Sequence, residues 1–291
     1  MILLNTDNHS IPIQSLCLYV DRFNPPYAGL IQNMLAICEK HGIIVRSAST
    51  SADHLSSFDI QESDLCDMAI VLGGDGSILR GMDYYRTLGI PVLGINAGQL
   101  GFLASVEQVS LEETIARIAK GDYVVKELPI LRAEFPSGHC LTAVNDFSIN
   151  RSMMGGILHF DLFVDDAKVA HMVGDGIVVS TPLGSTAYSL SCGGPILDPG
   201  LPAILIVPIC PHSLSLRPLV VSDNVSVSIT IGTLRGTGPV VSADGAASGT
   251  LRTGEMLTII KDSGSCRIVR FSDHPGYYDK LGQKLGWGSR G

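Results

Sequence analysis

The first third of the chain alternates short, continuously apolar runs with segments of helical period, and glycine marks most of the junctions. Gln14 to Tyr19 reads as a strand. Tyr27 to His41 places Leu30, Met34, Leu35, Ile37 and Cys38 at helical spacing and closes on Gly42, and Ile43 to Val45 resumes strand character. Met68 to Leu72 and Ile90 to Ile95 are apolar throughout, as strands covered on both faces are. Ser110 to Glu113 fits a capping box for a helix that carries Leu111, Ile115, Ile118 and Ala119 on one face, with Gly121 past its end. Strands and helices in alternation predict a parallel sheet with covering helices.

Past Asp122 the helical period is lost. Short β-rich segments follow, separated by Gly, Asp, Asn and Ser: Leu141 to Asn150, Leu158 to Val164, Lys168 to Val173, Gly176 to Ser180, Ala203 to Val207, Val225 to Ile231, Met256 to Ile260 and Cys266 to Phe271. Asp165-Asp166 reads as the turn of a hairpin. The expected fold is an N-terminal α/β parallel-sheet domain over residues 1–122, a C-terminal β-rich, sandwich-like domain over 123–271, and a tail over 272–291.

Composition narrows the class. At 291 residues, 45% apolar and 16% charged, the chain is globular and long enough for two domains. Its net charge of -8 leaves no electrostatic footprint for nucleic acid or an anionic membrane, so phosphate binding has to rest on local features. Seven scattered cysteines, never spaced as C-x-x-C, indicate neither a disulfide framework nor a zinc site, and reduced thiols in the cytoplasm are the simple expectation. No leader with a basic and then an apolar region opens the sequence, and no membrane span is expected.

Several familiar phosphate and hydrolase signatures are missing. No Gly-Lys dipeptide occurs, which removes the P-loop, and the one G-x-G-x-x-G spacing, Gly286 to Gly291, has no strand before it and no room for a helix after it. H-E-x-x-H and G-x-S-x-G are absent.

What the chain does carry is Gly73-Gly74-Asp75-Gly76 at the carboxyl end of a buried strand, where open α/β sheets bind ligands. Glycines there permit positive φ and close approach of phosphates to the main chain, and Ser77 is placed to cap the helix beyond. The same stretch also suits a βα turn that uses glycine for geometry alone. Asn96 to Leu103, with two spaced glycines, is a second edge of the same kind. In the β-rich half lie Val144-Asn145-Asp146, Gly174-Asp175-Gly176 and the run from Ser180 to Pro195, Ser-Thr-Pro-Leu-Gly-Ser-Thr-Ala-Tyr-Ser-Leu-Ser-Cys-Gly-Gly-Pro. With Thr186 or Ser185 opening a helix, that run offers hydroxyls and backbone donors for an anion or a ribose without any lysine. A decorated turn with a short helix is the alternative.

These motifs together resemble the NAD kinase family, over roughly Ile70 to Trp287, with further matches at Gly94-Ile95-Asn96, Gly101-Phe102-Leu103, Pro208, Arg217-Pro218-Leu219, Ala243-Asp244-Gly245 and Lys284-Leu285-Gly286-Trp287. The GGDG turn is shared with phosphofructokinases and diacylglycerol-type lipid kinases, whereas the Thr/Ser/Tyr run is specific.

The resemblance implies transfer of the terminal phosphoryl group of ATP, or of polyphosphate, to the 2′-hydroxyl of the adenosine ribose of NAD, with a divalent cation such as Mg2+ on the donor. It makes Asp75 the catalytic base and puts Gly76 at the reacting diphosphate and Phe102 at the base pocket. Asn145 and Asp146 would contact NAD, Asp175 would take a nucleobase amino group, and Thr186, Ala187, Tyr188 and Ser191 would hold base and ribose. Arg80 would meet donor phosphates, or else be a solvated helix cation. The family usually has Glu where Asp146 stands, and often Gln or Arg where Ala246 stands. A site between the two domains, a tail over 272–291 that returns to the N-terminal domain, and a homodimer or homotetramer are implied as well. Two rival functions share the turn or the loops: a lipid or small-polyol kinase, and a noncatalytic NAD(P) sensor.

Overall fold

A computed structural model describes residues 11–20, 26–47, 61–62, 65–96, 101–104, 106–107, 111–152, 156–233, 236–273 and 276–286. Among the sequence expectations, the Ala97–Leu100 part of the second glycine loop, the Ser110 cap and Trp287 lie outside them. The chain divides into two units, Met1–Glu127 with Cys266–Gly291, and Leu128–Ser265.

The first unit is built on parallel strands. Ser15–Tyr19 pairs with Ile44–Ser47 on one side and Met68–Leu72 on the other. Met68–Leu72 in turn pairs with Val92–Asn96, and Gln61–Glu62 extends the sheet beyond Ile44–Ser47. Val106 and Ile268 both pair parallel with Val92–Asn96, opposite Ile95 and Val92. All five residues of Met68–Leu72 and of Val92–Asn96 are buried, which is why the first run is apolar at every position and the second is apolar up to its last residue, the buried Asn96. The helix Pro26–Lys40 buries Leu30, Met34, Ile37 and Cys38, and Leu111–Lys120 buries Leu111, Ile115 and Ile118, so the helical spacing in the sequence is the packing face.

Two antiparallel sheets make up the second unit. One has six strands in the order Leu219–Ser222, Ala203–Ile209, Gly176–Ser180, Asp146–Asn150, Val240–Ala243, Ala246–Thr250. The other runs Ala167–Gly174, Leu158–Val164, Val227–Ile231 and then residues 256–259. Phe147, Ile149, Ile177, Val179, Ile204 and Ile206 from the first share one core with Phe160, Leu162, Ile229, Ile231, Leu257 and Ile259 from the second. This is the two-sheet packing expected of a sandwich. The Asp165 turn, with φ of 50°, closes the expected hairpin.

Several local expectations are corrected. Leu141 to Asn150 is two strands, Cys140–Ala143 and Asp146–Asn150, separated at Val144-Asn145 because the backbone there turns its N–H groups onto the Asp244 carboxylate. Met256 to Phe271 is one strand, Met256–Arg270, not two, since the polar stretch around Asp262 to Ser265 stays extended. Val124–Glu134 is an eleven-residue strand that the sequence pattern hid, because Lys126, Glu127 and Pro129 break its alternation.

Candidate active site

In the first unit, Met68–Leu72 ends in a bend at Gly73-Gly74, and the helix Asp75–Arg86 starts at once. Of the three glycines only Gly73 needs its lack of a side chain for conformation. Its φ is +148°, and a Cβ there would lie 2.7 Å from the Ser77 Cβ. Gly74 is extended (φ -82°) and is itself the N-cap, with no side-chain cap bond, so the expected Ser77 cap does not form. The helix begins three residues earlier than a Ser77 cap requires, which places Asp75 in the first helical turn, where a carboxylate is favoured.

Asp75 is held by the segment that follows Val92–Asn96. Its Oδ2 accepts the Phe102 N–H at 2.8 Å and its Oδ1 accepts the Leu103 N–H at 3.0 Å. Gly101 makes this approach possible, since a Cβ there would stand 1.9 Å from Asp75 Oδ1. Segment 101–104 is gripped from its other side by two cations near the C-terminus, the half-buried Arg270 and the buried Lys280. An Arg270 guanidinium nitrogen donates to the Leu103 carbonyl at 2.8 Å, and Lys280 Nζ donates to the Ala104 carbonyl. Burial lowers the Arg270 pKa to about 10, and the negative charge of Asp75 opposes that shift. Lys284 Nζ lies 3.8 Å from Asp75 Oδ2 and 4.5 Å from the centre of the Phe102 ring, and the Tyr277 ring packs 6.1 Å from Phe102. The helix Tyr277–Leu285 that carries Lys280 and Lys284 is started by Asp279, which accepts the Gly276 N–H at 2.9 Å, and ended by Gly286 at φ 65°.

A cleft of about 430 Å³ in the second unit is lined by Asn145, Asp146, Ser148, Asn150, Ala187, Tyr188, Ser242, Asp244 and Gly245. Alternate residues Asp146, Ser148 and Asn150 present one face of their strand to it, beside Ser242 of the neighbouring strand, and two carboxylates set its electrostatics. Asp244, at φ 48° in the turn between Val240–Ala243 and Ala246–Thr250, accepts the N–H groups of Val144 at 2.8 Å, Asn145 at 2.7 Å and Asp146 at 3.1 Å. Asp146 is only 5% exposed, and burial, reinforced by the Asp244 charge, pushes its carboxyl pKa up to about 7. A carboxyl in that state donates a hydrogen bond at low pH and accepts at high pH. Tyr188 stands at the rim with its hydroxyl 3.4 Å from Asn150 Oδ1.

The two units therefore group the expected residues as follows. Asp75, Gly76, Arg80 and Phe102 belong to the first: Asp75 is bonded to the Phe102 backbone, and the Arg80 guanidinium lies against Gly76, 3.7 Å from where a Cβ would be. Asn145, Asp146, Ala187 and Tyr188 meet around the cleft of the second unit, whose lining does not include Asp175, Thr186 or Ser191. Asp175 is ion-paired with Arg151 at 2.6 Å, and Thr186 Oγ1 donates to the Leu183 carbonyl at 3.2 Å. Neither Ser185 nor Thr186 opens an α-helix. Leu183–Thr186 is a 3-10 turn, and the short helix Tyr188–Ser191 follows Ala187.

Much of the hydroxyl run is directed inward. Ser180 Oγ donates to the Asn145 and Thr181 carbonyls, Thr181 Oγ1 donates to Val144 O at 2.7 Å and accepts from Gly184 N, and Ser185 Oγ accepts from Leu197 N at 3.0 Å. These bonds hold the loop against Val144–Asp146, so the run shapes the cleft more than it lines it.

Residues 29–123 match the ATP-NAD kinase N-terminal domain and residues 144–271 match the ATP-NAD kinase C-terminal domain. The chain belongs to the NAD kinase family. The NAD kinase of Pseudomonas putida (strain GB-1) is 40% identical over 231 residues, 78% of each chain, and that of Pseudomonas fluorescens (strain SBW25) is 38% identical over 264 residues, 87% of this chain and 88% of the relative. Among solved structures, yeast NADH kinase complexed with NADH superposes with a TM-score of 0.87 at 24% identity, covering 96% of this chain and 89% of that one. An NAD kinase from Archaeoglobus fulgidus in complex with ATP gives 0.72 at 22% identity, covering 94% and 100%. Both share the fold of this family member.

Sequence reasoning assigned no role to Arg270, Lys280, Lys284, Ser148, Asn150, Ser242 or Asp244. Asp244 and Lys284 carried a signal, since both sit in stretches that match the family, but nothing in their spacing tied them to Asp146 or Asp75.

Proposed function

We propose that this family member is an NAD kinase, which phosphorylates the 2′-hydroxyl of the adenosine ribose of NAD with ATP to give NADP and ADP. The observation that carries the reading is the match of both kinase domains together with a carboxylate, Asp75, fixed at the end of a buried parallel strand by two backbone N–H groups. The family match does not favour a lipid or polyol kinase or a noncatalytic sensor.

The bond made joins ribose O2′ to the terminal phosphorus, the bond broken joins that phosphorus to the β,γ-bridging oxygen, and the departing electron pair leaves with ADP. Asp75 takes the hydroxyl proton as the new bond forms. Each Asp75 oxygen keeps a lone pair beyond its backbone bond, so the carboxylate can be oriented and basic at once. The cleft around Asn145, Asp146, Ala187 and Tyr188 receives the dinucleotide, and its volume suits a nucleoside. Gly76 and Arg80 face the diphosphate, Phe102 packs on a base, and Asp175, Thr186 and Ser191 act at the periphery of the bound NAD. Among the described residues no three His, Cys, Asp or Glu side chains gather as a metal site, and the divalent cation is read as part of the Mg·ATP substrate.

The oligomer and the compartment belong to this proposal too. A homodimer or homotetramer follows from the family resemblance and is measured by light scattering on a sizing column. Seven cysteines outside any disulfide suit a reducing cytoplasm, and among the described residues no helix is long and apolar enough to cross a membrane.

Purified protein incubated with NAD, ATP and magnesium should form NADP. Asp75→Asn should keep dinucleotide affinity within several-fold while turnover drops by roughly two to four decades. An equal loss in binding would make Asp75 a binding residue instead.

A further inference from the structure

Four cations surround segment 101–104 and Asp75 in the first unit, and their bonding differs. Lys280 is buried and Arg270 half-buried, and both are spent on backbone carbonyls, those of Ala104 and Leu103. Arg80 lies along Gly76. Lys284 is different. Its side chain is 30% exposed, and its two contacts, Asp75 Oδ2 at 3.8 Å and the Phe102 ring at 4.5 Å, are electrostatic and longer than hydrogen bonds. Its ammonium donors are therefore uncommitted to any acceptor among the described residues, although the charge is held in place beside the reacting carboxylate.

Phosphoryl transfer asks for such a group. Catalysis rests on in-line alignment and on positive charge at the three equatorial oxygens of the moving phosphoryl. With the ribose hydroxyl about 2.7 Å from the Asp75 carboxylate and the phosphorus about 3–3.5 Å beyond it, the phosphoryl oxygens fall within the sweep of an ammonium already 3.8 Å from that carboxylate. Without a cation, a carboxylate and a polyphosphate would meet with like charge. The glycine bend supplies only N–H dipoles.

We propose that Lys284 is a catalytic residue whose ammonium pairs with Asp75 before the donor arrives and then binds the transferred phosphoryl group. This rests on the kinase reading above and deepens it by assigning the donor-phosphate ligand to the C-terminal helix.

The test starts from wild-type protein, whose formation of NADP settles the kinase reading independently of Lys284. Lys284→Met should then lower kcat/KM for ATP by roughly 10²–10³-fold. NAD affinity should stay within about threefold, and melting should barely move, because an exposed pair contributes little. Lys284→Arg should recover at least about tenfold, since it restores the charge. ATP, and not NAD, should shield Lys284 of the unmodified protein from an amine-acylating reagent, read by mass spectrometry, which keeps the proposal open to test if Lys284→Met does not fold. Wild-type turnover in Lys284→Met overturns it, as does acylation indifferent to ATP. A raised acid limb in the kcat–pH profile with an unchanged KM for ATP would also overturn it, by making Lys284 a positioning residue that acts only through Asp75. Loss of ATP affinity in Arg80→Met with none in Lys284→Met would move the phosphate contact to Arg80.

Discussion

Gly101→Ala isolates the packing of a loop on the carboxylate of Asp75, the proposed catalytic base. The added methyl would stand 1.9 Å from Asp75 Oδ1, 2.6 Å from its Cγ and 2.9 Å from Oδ2, so the loop or the carboxylate has to retreat by more than about 1 Å to reach ordinary contact. The backbone bonds that fix Asp75 are 2.8 and 3.0 Å long, and a retreat of that size carries both past the roughly 3.2 Å limit of an N–H···O bond. Two hydrogen bonds to a charged acceptor contribute about 3–6 kcal/mol together. Because the Asp75 side chain is 31% exposed, water replaces part of this, and a net loss of about 2–3 kcal/mol is expected. Turnover should fall about 100-fold, the usual consequence of misplacing a reacting group by 1 Å. NADP formation under saturating substrates measures the second quantity and denaturant titration the first. Gly74→Ala is the steric control, since a Cβ there meets nothing within 4 Å and φ is -82°, and it should lose only the roughly 0.5–1 kcal/mol by which Ala is poorer than Gly at an N-cap. Gly101→Ala with wild-type turnover and an unchanged unfolding midpoint would show that this loop does not hold Asp75 in solution.

The second unit yields two more tests. Asp146 has its carboxyl pKa raised to about 7, so between pH 4 and 7 the folded state holds a proton that the unfolded chain has released, and stability falls as pH rises through that window. Asp146→Asn removes this slope, and the difference in unfolding free energy between variant and wild type should grow by about 2–3 kcal/mol from pH 5 to pH 8. Parallel pH profiles for the two proteins would refute the buried, Asp244-coupled carboxyl. Asp244→Ala leaves the N–H groups of Val144, Asn145 and Asp146 without their acceptor and puts Ala at φ 48°, which should cost about 3 kcal/mol in a chemical-denaturation experiment. A loss below about 0.5 kcal/mol would mean that water serves those donors equally well.

Sequence alone determined what depends on neighbours along the chain. Burial on both faces makes Met68–Leu72 and Val92–Ile95 free of polar side chains, helical spacing marks the packing face of Pro26–Lys40 and Leu111–Lys120, and the glycine bend announces that Asp75 sits at a strand end. The family could be read from the Ser180–Pro195 run because its small and hydroxylated residues are needed for one particular loop shape. Only tertiary structure decided how those hydroxyls are used: Ser180, Thr181 and Ser185 face their own backbone, a direction that composition cannot express. It also decided which charges meet. Arg270 reaches Leu103 across 167 residues and Lys280 reaches Ala104 across 176, while Asp244 joins residues about a hundred positions away. Such pairings have no period, since they arise when strands distant in sequence are laid side by side, and a carboxylate or ammonium looks the same in the sequence whether water or a buried peptide will face it.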